Sequence, residues 1–169
     1  MRRARDISPA GTWRQERAVA TVTLAFDDRH RRRLKLTDDN GDDFLLDLAE
    51  TARIREGDGL RLEDGVHIRV RAAEEDVLDI VCRDGEATAK VAWHLGNRHT
   101  PVQVLSDGGL RIRYDHVLAE MSDLLGADLT RCHAPFDPEA GAYAESHGHG
   151  HNHTHDHDYK DYEDRSHAP

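Results

Sequence analysis

Residues 75–134, "EDVLDIVCRDGEATAKVAWHLGNRHTPVQVLSDGGLRIRYDHVLAEMSDLLGADLTRCHA", decide the fold of this chain. The stretch opens with an apolar run that ends at Cys82, which predicts a strand. Asp84 is a favoured helix N-cap and Gly96 a favoured helix terminator, so a helix is predicted between them. Its buried face should contain Ala87, Val91 and Leu95. "TPVQVL" and "LRIRY" then predict two strands joined by the turn "SDGG".

A second helix follows in the same stretch. Asp115 can cap it, Gly126 can close it, and apolar residues recur at helical spacing between them. The predicted buried face consists of Val117, Leu118, Met121, Leu124 and Leu125. "DLTRCHA" predicts a last strand, so the element order is β-α-β-β-α-β, that of a ferredoxin-like domain, here assigned to residues 74–143.

Short strands and turns are predicted before this domain. Alternate apolar residues from Ala20 to Phe26 indicate a strand, and Asn40-Gly41 between two apolar runs indicates a hairpin. Glycines 57, 59 and 65 separate further short strands. We therefore predict a small all-β domain over residues 18–73. Residues 1–17 show no periodicity and are predicted to be a flexible leader.

The sequence changes again after Tyr143, where no apolar residue able to build a core remains. Low hydrophobicity with dense charge predicts a disordered tail over residues 144–169. The predicted fold class is α+β: a small all-β N-terminal domain, a ferredoxin-like βαββαβ domain, and a disordered histidine-rich C-terminal tail.

Histidine fills every second position in part of that tail, within "SHGHGHNHTHDHD" (146–158). Neutral imidazole binds borderline divalent metals, and flexible spacing lets several rings reach one ion. We interpret the run as a weakly selective metal-binding segment; an expression tag or a solubilising spacer is the alternative. The candidate ligands are His147, His149, His151, His153, His155 and His157.

Composition argues against several other functions. The chain carries a net charge of −10, and its one basic cluster, Arg29–Lys35, is short and lacks interleaved aromatic residues, so it is expected to be a solvated strand edge rather than a nucleic-acid site. No apolar run approaches the roughly 20 residues of a membrane span. Cys82 and Cys132 fit no disulfide framework and are expected to be small buried residues. Together with the lack of a recognisable signal peptide, these features suggest a cytoplasmic protein. No catalytic constellation is recognisable, so no enzyme is expected.

A folded metal ligand is predicted in "WHLGNRHTP" (93–101). His99 should lie on the exposed turn between the first helix and the next strand. A histidine bonded to a nearby carbonyl is the alternative. Because one imidazole cannot hold an ion, a metal site at His99 requires a second copy of the chain, and a two-fold homodimer would supply an identical ring.

Several motifs resemble the UreE family of urease nickel metallochaperones. They are "HLGNRHTPVQV" (94–104), "YDHVLAEM" (114–121) and "LLGADLTRCHAPFDPEAGAY" (124–143), followed by the histidine-rich end. The N-terminal half resembles the family more loosely, through "RLKLTDDNG" (33–41) and "IREGDGL" (54–60).

The resemblance implies roles for particular residues. His99 matches the family's nickel-binding histidine, which faces its symmetry mate at a dimer interface, and His116 matches a secondary metal position. His94 matches an earlier motif histidine that would serve helix packing. Some relatives carry a further histidine where Tyr114 stands here, and a phenol is a much poorer ligand at neutral pH.

The resemblance also implies a function. The protein would carry Ni(II) to apo-urease together with the urease GTPase accessory protein, and Zn(II) or Cu(II) could bind the same histidines. Passive storage or detoxification of nickel and other divalent metals is the alternative.

Overall fold

The structure, a computed structural model, describes residues 1–140 of the 169-residue chain. This part forms two sheets and two α-helices, with short 3-10 turns at Gln15–Arg17 and Phe26–Arg29. The strands are β1 (Arg2–Ser8), β2 (Ala18–Leu24), β3 (His30–Thr37), β4 (Asp43–Arg53), β5 (Gly59–Leu62), β6 (His67–Ala72), β7 (Glu74–Val81), β8 (Gln103–Val104), β9 (Leu110–Arg113) and β10 (Asp128–Pro135), and the helices are α1 (Gly85–Gly96) and α2 (His116–Leu124).

The first six strands form one sheet in the order β2-β6-β5-β1-β4-β3 around its own apolar core. Asp39, just after the edge strand β3, reaches the opposite edge strand β2. Its backbone N–H donates to the carbonyl of Thr21 at 2.8 Å, and the Thr23 hydroxyl donates to its carboxylate at 3.0 Å. The sheet therefore curls until its two edges meet, which confirms the predicted all-β N-terminal domain.

The predicted flexible leader is wrong, because Arg2–Ser8 form β1 in the interior of this sheet. The strand pairs parallel to β4 and antiparallel to β5, and Ala4 is fully buried. Its other side chains are mostly charged and find partners far along the chain, as Arg2 does by donating to Asp38 at 2.9 Å. Local periodicity cannot reveal a strand whose pairing is this remote.

The Asn40-Gly41 hairpin is confirmed. β3 and β4 pair antiparallel around it, and Gly41 has a φ of 92°, a conformation that favours glycine. The carboxylate of Asp38 accepts from the backbone N–H groups of Asn40 and Asp42, both at 3.0 Å, and fixes the turn.

The remaining strands form a second sheet in the order β10-β7-β9-β8, with both helices against one face. Asp84 caps α1 by accepting from the N–H of Ala87 at 2.8 Å, and Asp115 caps α2 by accepting from the N–H groups of Val117 and Leu118. These elements confirm the predicted ferredoxin-like βαββαβ domain. The strand predicted in "TPVQVL" is shorter than expected and contains only Gln103 and Val104.

The buried face predicted for α2 is only partly correct. Leu118 and Met121 pack against the sheet, but Val117 and Leu124 are 55% and 80% exposed. Ser122 is buried in their place and donates its hydroxyl to the carbonyl of Leu118 at 2.8 Å. The helix is rotated relative to the prediction, so that part of its apolar surface faces outwards.

The basic cluster divides into a buried and an exposed part. Arg31 and Arg33 lie exposed on the edge strand β3, as predicted. Arg29 is only 2% exposed and donates to the Asp137 carboxylate at 2.7 Å and to the Phe136 carbonyl, which corrects the expectation of a wholly solvated cluster. A buried cation next to a carboxylate holds the chain that follows β10 against the N-terminal domain.

Strand register determines which loops meet at the candidate site. In β7, β9 and β10, Val77 pairs with Arg113 and Glu74 with Pro135, so residues near 75, 114 and 134 lie at one end of the sheet. α1 ends and α2 begins at this end. Neither helix in residues 1–140 has the length and apolar character needed to cross a membrane.

Candidate metal centre

The turn after α1 holds His99 in an unusual backbone conformation. The helix ends at Gly96, as predicted, but the left-handed residue is His99, with a φ of 54°. It is the one non-glycine residue with a positive φ among residues 1–140. Its N–H donates to the Gly96 carbonyl at 2.9 Å, and the N–H of Thr100 donates to the Leu95 carbonyl at 3.2 Å. These bonds impose the conformation, which costs a side chain with a Cβ about 1–2 kcal/mol.

The His99 ring is available to a ligand. The residue is exposed, and its ring makes no hydrogen bond with any group of residues 1–140. The alternative prediction, a ring bonded to a nearby carbonyl, therefore does not hold within these residues. Arg98 donates instead to the His94 carbonyl at 2.9 Å. His94 itself is half-buried, with its ring edge-on to Trp93 at 4.9 Å between centroids.

His99 borders an open groove of about 670 Å³ at the end of the second sheet. The groove combines this imidazole with a tyrosine, three carboxylates, two arginines and several apolar side chains. Its lining residues are Glu75, Asp76, Arg98, His99, Thr100, Pro101, Arg113, Tyr114, Asp115, Leu118 and Phe136.

The three groove carboxylates are engaged in other contacts. Asp76 accepts from Arg131 at 2.9 and 2.7 Å, and these hydrogen bonds hold the pKa of Asp76 below its ordinary value. Asp115 caps α2, and Glu75 accepts from the N–H of Phe26 at 2.7 Å. Among residues 1–140, His99 is therefore the groove side chain that still offers a free nitrogen of the kind that borderline divalent metals bind.

The described residues do not complete a metal site. Within residues 1–140, no group of three or more His, Cys, Asp or Glu side chains is arranged to hold a metal ion. His116 is the exposed first residue of α2 and follows Asp115, but it does not line the groove. The predicted tail ligands lie outside the described residues: His147, His149, His151, His153, His155 and His157. The predicted disorder of residues 144–169 also lies outside them.

Sequence reasoning missed a connected set of side chains that includes two groove residues, Asp76 and Tyr114. The guanidinium carbon of Arg131 lies 3.6 Å from the centroid of the Tyr114 ring while the same side chain binds Asp76. His133 lies directly opposite Asp76 in the register of β7 and β10. Alternation along "DLTRCHA" could have placed Arg131 and His133 on one face, but their partners on β7 could not be read from it.

The two halves of the chain match two family models. Residues 2–73 match the "UreE urease accessory protein, N-terminal domain", and residues 75–163 match the corresponding C-terminal domain. The chain belongs to the UreE urease accessory protein family. This confirms the resemblance drawn from the motifs.

Individual UreE relatives align over most of the chain. A urease accessory protein UreE of Beijerinckia indica is 47% identical over 146 residues, which cover 86% of this chain and 83% of the relative. One from Rhodopseudomonas palustris is 49% identical, covering 87% and 67%. One from a Bradyrhizobium species is 50% identical, covering 86% and 68%.

Proposed function

We propose that this UreE protein is a nickel metallochaperone that binds Ni(II) at His99 and delivers it to apo-urease, together with the urease GTPase accessory protein. It acts as an accessory protein and not as an enzyme, in the cytoplasm. The observation that carries the proposal is the His99 ring, exposed and without a hydrogen bond in residues 1–140, at the edge of a groove in a UreE chain.

A second copy of the chain would complete the site. One imidazole leaves an ion under-coordinated, and a two-fold axis close to His99 would bring a second identical ring. Exposed apolar side chains flank the turn and support an interface there: Trp93, 64% exposed in the last turn of α1, and Val117, 55% exposed in the first turn of α2. A homodimer through the ferredoxin-like domains would bury both side chains.

Tail histidines would supply the remaining ligands. Because six imidazoles alternate with other residues from His147 to His157, they are interchangeable, and an ion can change ligands one at a time. Stepwise exchange lets nickel pass to a partner protein without being released. Imidazole should bind Cu(II) more tightly than Ni(II) and should also take Zn(II), so metal supply and partner docking must contribute to selectivity.

Passive storage of nickel or other divalent ions is the second candidate, and the six tail histidines favour it. If the protein were a passive store, its nickel binding would depend on the tail histidines alone. In a carrier, substitution at His99 should remove the tightest nickel-binding phase, because one substitution removes a ligand from each protomer.

Calorimetric titration of the full chain with Ni(II) tests the proposal. His99→Ala should weaken the tightest phase by roughly 100-fold or more, where each 1.4 kcal/mol is about a factor of ten. His116→Ala should have a smaller effect, and His30→Ala, at an exposed histidine on β3, is the matched control with no effect expected. If His99→Ala retains the tightest phase, the carrier proposal is wrong and the store is the better account.

Urease activation separates delivery from binding. With limiting nickel, His99→Ala should lower the activity gained by apo-urease, whereas deletion of residues 145–169 should lower it only in part. Equal losses from tail deletion and from His99→Ala would contradict a distinct role for His99 in delivery.

A further inference from the structure

Arg131, Asp76 and Tyr114 form one connected set, and two of its members, Asp76 and Tyr114, line the groove with His99. Nε of Arg131 donates to Oδ1 of Asp76 at 2.9 Å, and a terminal nitrogen donates to Oδ2 at 2.7 Å. The same guanidinium carbon lies 3.6 Å from the centroid of the Tyr114 ring. One cation thus occupies both oxygens of a carboxylate that lines the groove with His99.

We propose that Arg131 is a specificity-determining residue for the metal held at His99, because it keeps Asp76 out of the ligand set. The inference rests on the proposed function and names a determinant of its selectivity. Imidazole ligands suit nickel, copper and zinc, whereas carboxylate oxygens suit magnesium, calcium and manganese. With Asp76 neutralised and both its oxygens engaged, the groove offers His99 without a hard ligand from Asp76.

The other groove carboxylates differ from Asp76. Asp115 and Glu75 accept hydrogen bonds from backbone N–H groups, at the start of α2 and at Phe26. Asp76 alone among the three is bound through both oxygens by a cation. Removing Arg131 would therefore free two oxygens and restore one negative charge in the groove that His99 borders.

Stability gives a weak reason for the Arg131–Asp76 pair. The Arg131 and Asp76 side chains are 55% and 38% exposed, and ion pairs this exposed contribute little to folding. The position of the pair in the groove is therefore the better clue to its role.

Tyr114 is a positioning residue that acts through Arg131. Its ring packs under the guanidinium, and its backbone N–H donates to the Asp76 carbonyl at 2.9 Å, so it touches both members of the pair. A flat aromatic face holds a planar guanidinium in one orientation. This gives the tyrosine a role in addition to being a poor metal ligand.

Manganese is the probe for the test, because free Mn(II) is quantified directly by electron paramagnetic resonance. In the full chain, Arg131→Gln should tighten Mn(II) binding by about tenfold, the lower end of the range for changes to residues that support a metal ligand. Nickel affinity should change less, so the preference for nickel over manganese should fall. Arg131→Gln with Asp76→Asn should return Mn(II) binding to that of the wild type, and so should Arg131→Gln with His99→Ala.

Arg111→Gln is the matched control. Arg111 donates to both oxygens of Asp79 at 2.6 and 2.8 Å, on the opposite face of the same sheet and outside the groove. Its substitution should leave Mn(II) affinity unchanged. An equal gain in the control would show a general effect of lost positive charge and would overturn the proposal.

Other outcomes are equally decisive. A folded Arg131→Gln protein with wild-type Mn(II) affinity overturns the inference, as does a gain that persists when Asp76 is also replaced. If Arg131→Gln does not fold, Arg131→Lys and Tyr114→Leu test the same point, because each should raise Mn(II) affinity by a smaller factor that depends on Asp76. If neither variant raises Mn(II) affinity, the inference is overturned. Loss of the proposed function would appear separately, as a tightest nickel phase that survives His99→Ala.

Discussion

Replacing His99 by glycine should make the metal-free protein more stable than replacing it by alanine. Both substitutions remove the imidazole, but alanine keeps a Cβ at a φ of 54° and glycine does not. Relief of the left-handed conformation is worth about 1–2 kcal/mol, and the greater freedom of glycine in the unfolded chain takes back about 0.4–1 kcal/mol. The expected difference is about 0.5–1 kcal/mol in favour of His99→Gly.

Urea unfolding in the presence of a chelator measures this difference. A thermal scan should place the midpoint for His99→Gly about 1–4 °C above that for His99→Ala, given the usual response of a domain of this size. Gly96→Ala on the same turn is the control: Gly96 is helical, and no atom lies within 4 Å of the Cβ that alanine would add. Gly96→Ala should raise the free energy of unfolding by about 0.5–1 kcal/mol, because alanine is a better helix former than glycine.

The two measurements together test the strain at His99. If glycine at position 99 is no more stable than alanine, the left-handed turn stores no strain, and the backbone argument fails. If glycine is more stable while both variants lose the tightest nickel phase, the histidine is retained at a cost in stability. That result would tie the strained conformation to a ligand role.

Three further substitutions probe the surrounding structure. Gly59→Ala should destabilise the protein by about 1–3 kcal/mol and shift tryptophan fluorescence to the red, because the new Cβ would lie 2.6 Å from the Trp13 ring. An unchanged fluorescence spectrum would contradict this prediction. Arg29→Met should lower the free energy of unfolding by about 3–5 kcal/mol in urea titrations, because it leaves the carboxylate of Asp137 without its buried partner. A decrease of less than about 1 kcal/mol would contradict this explanation. Burial raises the pKa of Asp38, but hydrogen bonds from two backbone N–H groups and an arginine outweigh it and hold the pKa below its ordinary value. The ionised Asp38 carboxylate should therefore stabilise the protein above about pH 4, and this stabilisation should be lost as the pH falls further. Urea titrations at a series of pH values should show a weaker pH dependence of the free energy of unfolding for Asp38→Asn. Identical pH profiles for the two proteins would show that Asp38 does not cause the dependence.

Elements that depend on local interactions were predictable from the sequence. Asp84 and Asp115 cap their helices through N–H groups two or three residues away, so the signal and its partner lie in one short stretch. The Asn40-Gly41 turn is equally local. These features sufficed to predict the ferredoxin-like domain and part of the first sheet.

Elements whose partners are remote were not predictable. Arg5 of β1 binds Glu63, and Arg61 of β5 binds Asp6, so the strand is held by residues more than fifty positions away. A charged strand inside a sheet has no alternating apolar pattern to detect. The Arg131–Asp76 pair was not predictable for the same reason, because its two residues lie on different strands and are 55 positions apart in the sequence.

The candidate site was predicted in position but not in conformation. "GNRH" correctly placed His99 on an exposed turn, yet Gly96 is the residue that sequence rules favour for a left-handed helix end. The chain takes that conformation three positions later, at His99. Such a departure from local preference is expected where a side chain is needed more than an unstrained backbone.

The segment that follows β10 connects the groove to the N-terminal domain. Phe136 lines the groove with His99, and its ring meets Phe26 edge-on at 5.4 Å between centroids. Arg53 donates to the carbonyls of Pro138 and Glu139, the latter at 2.8 Å. His147 follows Glu139 by eight positions, which extended chain can span by at most about 29 Å. Contacts from Phe26, Arg29 and Arg53 of the N-terminal domain therefore hold the segment from Phe136 to Glu139, so one wall of the groove depends on residues outside the ferredoxin-like domain.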